Sequence, residues 1–246
     1  MVTEVYVFAV LILSSFLQTA TGFGYAIITA PLLALVLGPK ETVMLTMLTG
    51  LIIRLFMMRA TKHDGSFKAI FPLITASIVG AIPGAYIMTM ISNDGLKLFI
   101  GIVLLIAVLA LWKNYKISIN HHKFTEGIVG GLSGFLATTT SINGPPIILY
   151  YLNSKAEENK SVFRGNLTRY FLLINIASIV ISYFAGTLKI RDLWLQTLLS
   201  IPALYIGFYL GEKAFHRINS ETFRKASLVM VFVSSIALIG AALSKN

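Results

Sequence analysis

Apolar residues run along the chain in eight blocks with few or no charges: residues 5–39, 42–58, 69–93, 98–112, 127–154, 167–188, 193–211 and 226–244. A helix needs about 20 apolar residues to cross the hydrocarbon, so this pattern predicts membrane helices. The first and fifth blocks are longer than one crossing requires, and both are interrupted. In the fifth, Thr138, Thr139, Thr140 and Ser141 run into Asn143-Gly144-Pro145-Pro146. Proline lacks an N–H and clashes with the preceding turn, yet it suits the first position of a new helix, and Asn143 or Gly144 suits its N-cap. The expected element is a broken helix that ends near Thr140 and restarts at Pro145. In the first block, Gln18-Thr19-Ala20-Thr21-Gly22-Phe23-Gly24 plays the same part. Irregular backbone survives at membrane depth only where protein or a water-filled cavity satisfies it, so both breaks mark a site.

The two halves of the chain correspond. A shift of 119 lays Phe16-Leu17 on Phe135-Leu136, Thr19 on Thr138, Thr21 on Thr140 and Leu48-Thr49 on Leu167-Thr168. A shift of 127 lays Gly80 and Gly84 on Gly207 and Gly211. The chain therefore reads as two repeats, residues 1–119 and 120–246, within one integral membrane unit. Charge orients them. If all eight blocks cross, the loop lysines and arginines divide nine against nine. If the first and fifth are re-entrant hairpins, Lys40, Lys97, Lys189, Arg191 and Lys245 stand on one side and the other thirteen face them. Insertion leaves such an excess on the cytoplasmic side. Three crossings per repeat is an odd number, so the second repeat is inverted. The expected fold is an all-α polytopic membrane protein of two inverted repeats, each a broken, re-entrant helical hairpin plus three transmembrane helices.

Composition agrees: 56% of residues are hydrophobic and 12% charged, with a mean hydropathy of +0.80. That charge is about half of what a soluble domain carries. The net charge of +10 is thus accounted for by orientation, and nucleic acid is not an expected partner. The absence of cysteine excludes disulfides and thiolate metal sites. Met1-Val2-Thr3-Glu4 lacks the positive start of a secretory signal, so the first block is expected to be retained.

Helices starting at Pro145 and at Gly24-Tyr25 are expected to aim their positive dipole ends at the membrane midplane, which suits an anion. Candidate ligands are Thr19, Thr21, Gly22 and Gly24 from the first break, and Thr139, Thr140, Ser141, Asn143, Gly144 and Pro145 from the second. Each hydroxyl has a second use, which is to bond the loose backbone at its own break. An arginine within a span normally faces a cavity or a partner. Arg169, with Asn166 three residues before it, is expected to touch the anion. Arg54, close to Arg59 and the end of its block, is expected to snorkel to the interface. Arg164 reads as a solvated interfacial charge. The carboxylates lie near block ends, which offers no mid-span proton relay. His63, His121, His122 and His216 have no metal-ligand spacing, so neither metal nor cofactor is expected. Gly131-Leu132-Ser133-Gly134 fits the G-x-S-G of rhomboid-type intramembrane proteases. The later histidine it needs is His216, at a block border beside Lys213 and Arg217. No nucleophile–base pair follows, and the chain is not expected to be an enzyme.

Gly22-Phe23-Gly24 leading to Pro31, and Ser133-Gly134 leading to Asn143-Gly144-Pro145-Pro146, sit in a duplicated eight-block layout. Together they resemble the sulfite exporter TauE/SafE family, also called the toluene-sulfonate uptake permeases. The resemblance covers nearly the whole chain. This chain has Tyr25-Ala26 where family members often extend the glycine run, and Asn143-Gly144-Pro145 where many have Gly-Gly-Pro. The resemblance implies a multi-pass carrier in the bacterial inner membrane for sulfite, sulfonates or related organic anions. Its partners are then a small anionic substrate and the lipid bilayer, with a homodimer left open. An anion channel of the same architecture is the alternative to a carrier working by alternating access.

A chain without cysteine accepts single cysteines as reporters of sidedness. Cysteines placed within 114–121 and within 155–160 are expected to react with an impermeant thiol reagent from the same face of intact cells. Reaction from opposite faces would remove the re-entrant hairpins and the inversion together.

Overall fold

The computed structural model describes residues 2–112, 123–153, 160–215 and 220–244. The expected junction near Asn120, the loops 113–122 and 154–159, and His216 lie outside the described residues. Among the described residues the structure is helical throughout: α1 (Val2–Thr21), α2 (Tyr25–Ala34), α3 (Pro39–Ala60), α4 (Phe67–Met90), α5 (Asn93–Trp112), α6 (Lys123–Thr139), α7 (Gly144–Asn153), α8 (Lys160–Phe184), α9 (Ile190–Leu199), α10 (Ile201–Phe215) and α11 (Ser220–Leu243). Helices α1, α3, α4, α5 and α8 are long and apolar enough to cross a membrane, and the bent pair α9–α10 makes a sixth if counted as one span. The protein is a multi-pass membrane protein.

The expected break in the fifth block is present, with α6 ending at Thr139 and α7 starting at Gly144. One break is additional. The sequence predicts a single span over 193–211, and the structure bends it by 51° between Leu199 and Ile201. Pro202 has no N–H for the Leu198 carbonyl, and its ring crowds that carbonyl. The loosened turn is closed by Ser200, whose N–H and hydroxyl both donate to the Gln196 carbonyl, at 3.0 and 2.7 Å.

Both hairpins return the chain to the end at which it started. The Tyr6 hydroxyl, near the start of α1, donates to the Leu32 carbonyl near the end of α2 at 3.1 Å. The Tyr150 hydroxyl, late in α7, lies 3.0 Å from the Glu126 carboxylate at the start of α6. At 20 residues, α1 is about 30 Å long, so the first hairpin penetrates almost the full thickness. Its tip bears this out: Gly22 abuts Arg164, near the start of α8. Helices α3 and α8 form the antiparallel centre, with Gly50 beside Asn175, Arg54 over Phe171 and the Ser182 hydroxyl near Met47. The end of α3 and the start of α8 meet at a basic end that carries Arg59, Lys62 and Lys68.

Around this centre α4 packs on α6, α10 on α1, and α5 on α11. The first two contacts are built alike. A β-carbon at Gly80 or Gly84 would collide with the backbone carbonyls of Gly131 or Phe135 on α6. One at Gly207 or Gly211 would collide with those of Ile12 or Phe16 on α1. Small residues at four-residue spacing are what allow membrane helices to approach this closely. Gly84→Val and Gly211→Val are therefore each expected to lower stability by about 1–3 kcal/mol through overpacking, read from unfolding in mixed micelles. Wild-type stability in both variants would contradict these contacts.

Candidate functional site

The two breaks have the same local construction. The Thr21 hydroxyl donates back to the Leu17 carbonyl at 2.9 Å and accepts the Phe23 N–H at 3.3 Å. In the second break the Thr140 hydroxyl donates to the Leu136 carbonyl at 2.9 Å and accepts the Ile142 N–H at 3.1 Å. The residue after each threonine is left-handed: Gly22 at φ 89° and Ser141 at φ 60°. Glycine occupies that region freely, whereas a serine there is strained. Ser141 is held in place by its hydroxyl, which donates to the Val43 carbonyl of α3 at 3.0 Å.

Most of the nominated hydroxyls are thus engaged by backbone. Thr139 donates to the Phe135 carbonyl at 2.8 Å, and of the threonines and serine nominated at the breaks only Thr19 keeps a buried oxygen without a partner. The starts of α2 and α7 adjoin, and each break is in addition braced on a central helix. Gly22 lies against the second turn of α8 and Ser141 against the second turn of α3. Since α3 and α8 are antiparallel, these two braces lie toward opposite ends of the central helix pair. Gly144 at the start of α7 meets Ile27, in the first turn of α2, and Phe171 of α8, the ring that Arg54 faces. The free N–H groups are fewer than expected. Pro145 and Pro146 contribute none to the first turn of α7, and the Tyr25 N–H of α2 is taken by the Gln18 side-chain oxygen at 3.1 Å. Gln18 also donates its amide to the Gly22 carbonyl at 3.0 Å, a brace across the first break that was visible in the sequence only as a polar residue.

The arginines exchange the roles expected of them. Arg54, Arg164 and Arg169 are 3%, 4% and 5% exposed, so burial does not separate them and their partners do. Arg169 is bound to backbone: Nη1 donates to the Thr61 and Gly165 carbonyls at 3.2 and 3.1 Å, and Nη2 to the Lys62 carbonyl at 3.1 Å. Asn166 accepts the Ser66 N–H at 2.7 Å. Together they fasten the 61–66 turn onto α8 and close the basic end. Arg164 is not a solvated charge; it pairs with Glu212 and lies 4.2 Å from the centre of the Phe215 ring. Arg54 does not snorkel. Its Nε and Nη1 are buried with no hydrogen-bond partner, its guanidinium folds back over Gly50, and the Phe171 ring centre is 5.5 Å away.

Helical side chains lean toward the N-terminus of their own helix, and this explains the exchange. Helix α8 starts at the basic end, so Arg169 leans outward onto the 61–66 turn. Helix α3 starts at the other end, so Arg54 leans inward, into room left by Gly50. The surroundings of Arg54 are polar. The Tyr25 hydroxyl donates to Thr49 at 2.7 Å, and the Asn175 side-chain oxygen is buried without a partner.

Ser133 is a link in a chain of hydroxyls. Its hydroxyl accepts from Tyr170 at 2.8 Å and donates to the Asn143 carbonyl at 2.7 Å, and the Tyr170 hydroxyl is also 2.6 Å from that of Ser77. This chain of hydroxyls ties α4, α6 and α8 to the second break. No cluster of metal-ligating side chains occurs among the described residues. At the end opposite the 61–66 turn lies an open pocket of about 690 Å³, bordered by Lys40, Glu41 and Met44 of α3, Met88 and Thr187 among others.

A family model described as "Sulfite exporter TauE/SafE" matches residues 7–238. Neither a curated protein nor a solved structure matches the chain.

Stability separates a cation held by partners from one that lacks them. Arg169→Ala is expected to lower the melting temperature without ligand, since each charged hydrogen bond lost is worth about 1.5–3 kcal/mol. Arg54→Met is expected to raise it, because it replaces an unanswered buried charge with apolar volume. Thermal unfolding in detergent reads both. A lower melting temperature for Arg54→Met would show that Arg54 is already satisfied in the empty protein.

Proposed function

Because the chain belongs to the sulfite exporter TauE/SafE family, we propose that it carries a small sulfur oxyanion, sulfite or an organosulfonate, across the bacterial inner membrane by alternating access, with Arg54 receiving the anion. The observation that carries this reading is the buried guanidinium of Arg54 with two unpartnered nitrogens. A charge in apolar protein without a counterpart is costly enough that it marks a ligand site. Tyr25, Thr49 and Asn175 surround it with further polar groups. A pocket at one end and a fastened turn at the other support a carrier over a channel, since a channel needs both ends open together.

In this reading the residues nominated at the breaks, Thr19 through Gly24 and Thr139 through Pro145, act as the joints of the moving hairpins, and Asn166 and Arg169 act as a gate. The division into repeats 1–119 and 120–246, the second inverted, is part of the proposal. It is supported by the matched breaks at Gly22 and Ser141, by the matched glycine contacts of α4 and α10, and by hairpins that start at opposite ends.

Titration calorimetry of the purified protein with sulfite and methanesulfonate tests the assignment. Arg54→Ala is expected to lose about 2–5 kcal/mol of binding, roughly thirtyfold or more in affinity, while Arg169→Ala binds with near wild-type affinity. Wild-type affinity in a folded Arg54→Ala protein would place the anion elsewhere.

A further inference from the structure

Buried polar atoms without partners are rare in folded proteins, because each forfeits its hydration. In this protein Thr19, Arg164 and Thr197 each hold one elsewhere, and those on α3 and on the later half of α8 fall in a line. On α3, the Thr42 and Thr46 hydroxyls are buried and unpartnered, followed at the same four-residue step by Gly50 and Arg54. On α8, the Asn175 side-chain oxygen and the Ser178 hydroxyl are buried and unpartnered, and the Ser182 hydroxyl finds only the Met47 sulfur at 4.0 Å. Residues 175, 178 and 182 share one face of α8, and that face meets α3, as the Gly50–Asn175 and Met47–Ser182 contacts show. The line begins at the open pocket. Glu41 and Met44, from the first turns of α3, and Gly186 and Thr187, just past the end of α8, border it. The line ends at Arg54, about 9 Å short of the far end of α3.

We propose that the seam between α3 and α8 is a hydrated route by which a small oxyanion passes between the open pocket and Arg54. Water satisfies the Thr42, Thr46, Asn175 and Ser178 oxygens when the seam is empty, and the hydroxyls donate to the anion as it moves. A hydroxyl suits this work because it bonds water and an oxyanion equally well by rotating its proton. Gly50 keeps the last step clear. The route runs between the central helices of the two halves of the chain, so a small relative tilt of α3 and α8 opens or shuts it. Its cargo rests on the anion-carrier reading above; its hydration does not.

The test uses the full-length, cysteine-free protein in membrane vesicles of both orientations, with Thr46→Cys, Ser178→Cys and, as a control on the outer face of α8, Val180→Cys. The probes are membrane-impermeant methanethiosulfonates, one bearing a sulfonate and one a quaternary ammonium, with rates normalised to those with a free thiol. Thr46→Cys and Ser178→Cys are expected to react at least tenfold faster than Val180→Cys, from the pocket end, with the sulfonate reagent preferred. In an Arg54→Ala background that preference is expected to vanish while access remains. Two reporters on different helices keep the test valid if one variant fails to fold. Rates no higher than that of Val180→Cys at both positions would overturn the hydrated seam and leave the Arg54 site standing. Fast reaction with no preference for the sulfonate would instead overturn the passage of an anion to Arg54 and leave the hydration standing.

Discussion

A guanidinium enclosed in apolar protein must be matched by a negative atom, and most of the arrangement seen here follows from how three arginines meet that demand. Arg164 has Glu212 and the face of Phe215; Arg169 has the carbonyls of Thr61, Lys62 and Gly165. Arg54 has none for Nε and Nη1. The first two spend their charge on joining elements, one holding α8 to α10 and the other holding the 61–66 turn to α8. The third leaves its charge unspent at the centre of the molecule, where an incoming anion is the natural counterpart. On the proposed carrier reading, the empty protein is strained and binding relieves the strain, which would give the ligand differential affinity for the state that encloses it.

The broken hairpins fit the same picture as structural joints. Each break is closed by its own threonine and stabilised by a left-handed residue, so hydroxyls that resemble ligands in the sequence are largely occupied with backbone. What they provide is a stop in the middle of apolar sequence that lets α2 and α7 turn back beside α1 and α6. Ser141 is the strained member of the pair. It is tethered to the Val43 carbonyl of α3, so movement of α3 relative to the second hairpin acts directly on the break.

Much of the fold was legible in the sequence. Proline and glycine chemistry placed the end of α6 and the start of α7 to within a residue, and the charge asymmetry pointed to hairpins whose ends adjoin, as the Tyr6–Leu32 and Tyr150–Glu126 contacts have it. The bend before Pro202 was missed because the apolar pattern runs through it without a change in composition. The site was less legible. Position along a block suggested that Arg169 was deep and Arg54 near the surface, but depth of the α-carbon is not depth of the charge. The deciding quantity is the lean of a long side chain toward the start of its helix, which sends these two heads in opposite directions. Gly50, one turn before Arg54, was the available signal, since it marks where the guanidinium finds room.

The claim on which the account rests is that the transported anion binds at Arg54. Selenite, the heavier analogue of sulfite, makes that claim visible through its anomalous scattering in crystals of the protein. The account predicts a selenium peak within hydrogen-bonding reach of the Arg54 guanidinium, between α3 and α8 and close to Gly50 and Asn175. A peak at the breaks beside Gly24 or Asn143, or against Arg169, with the space around Arg54 empty, would contradict it.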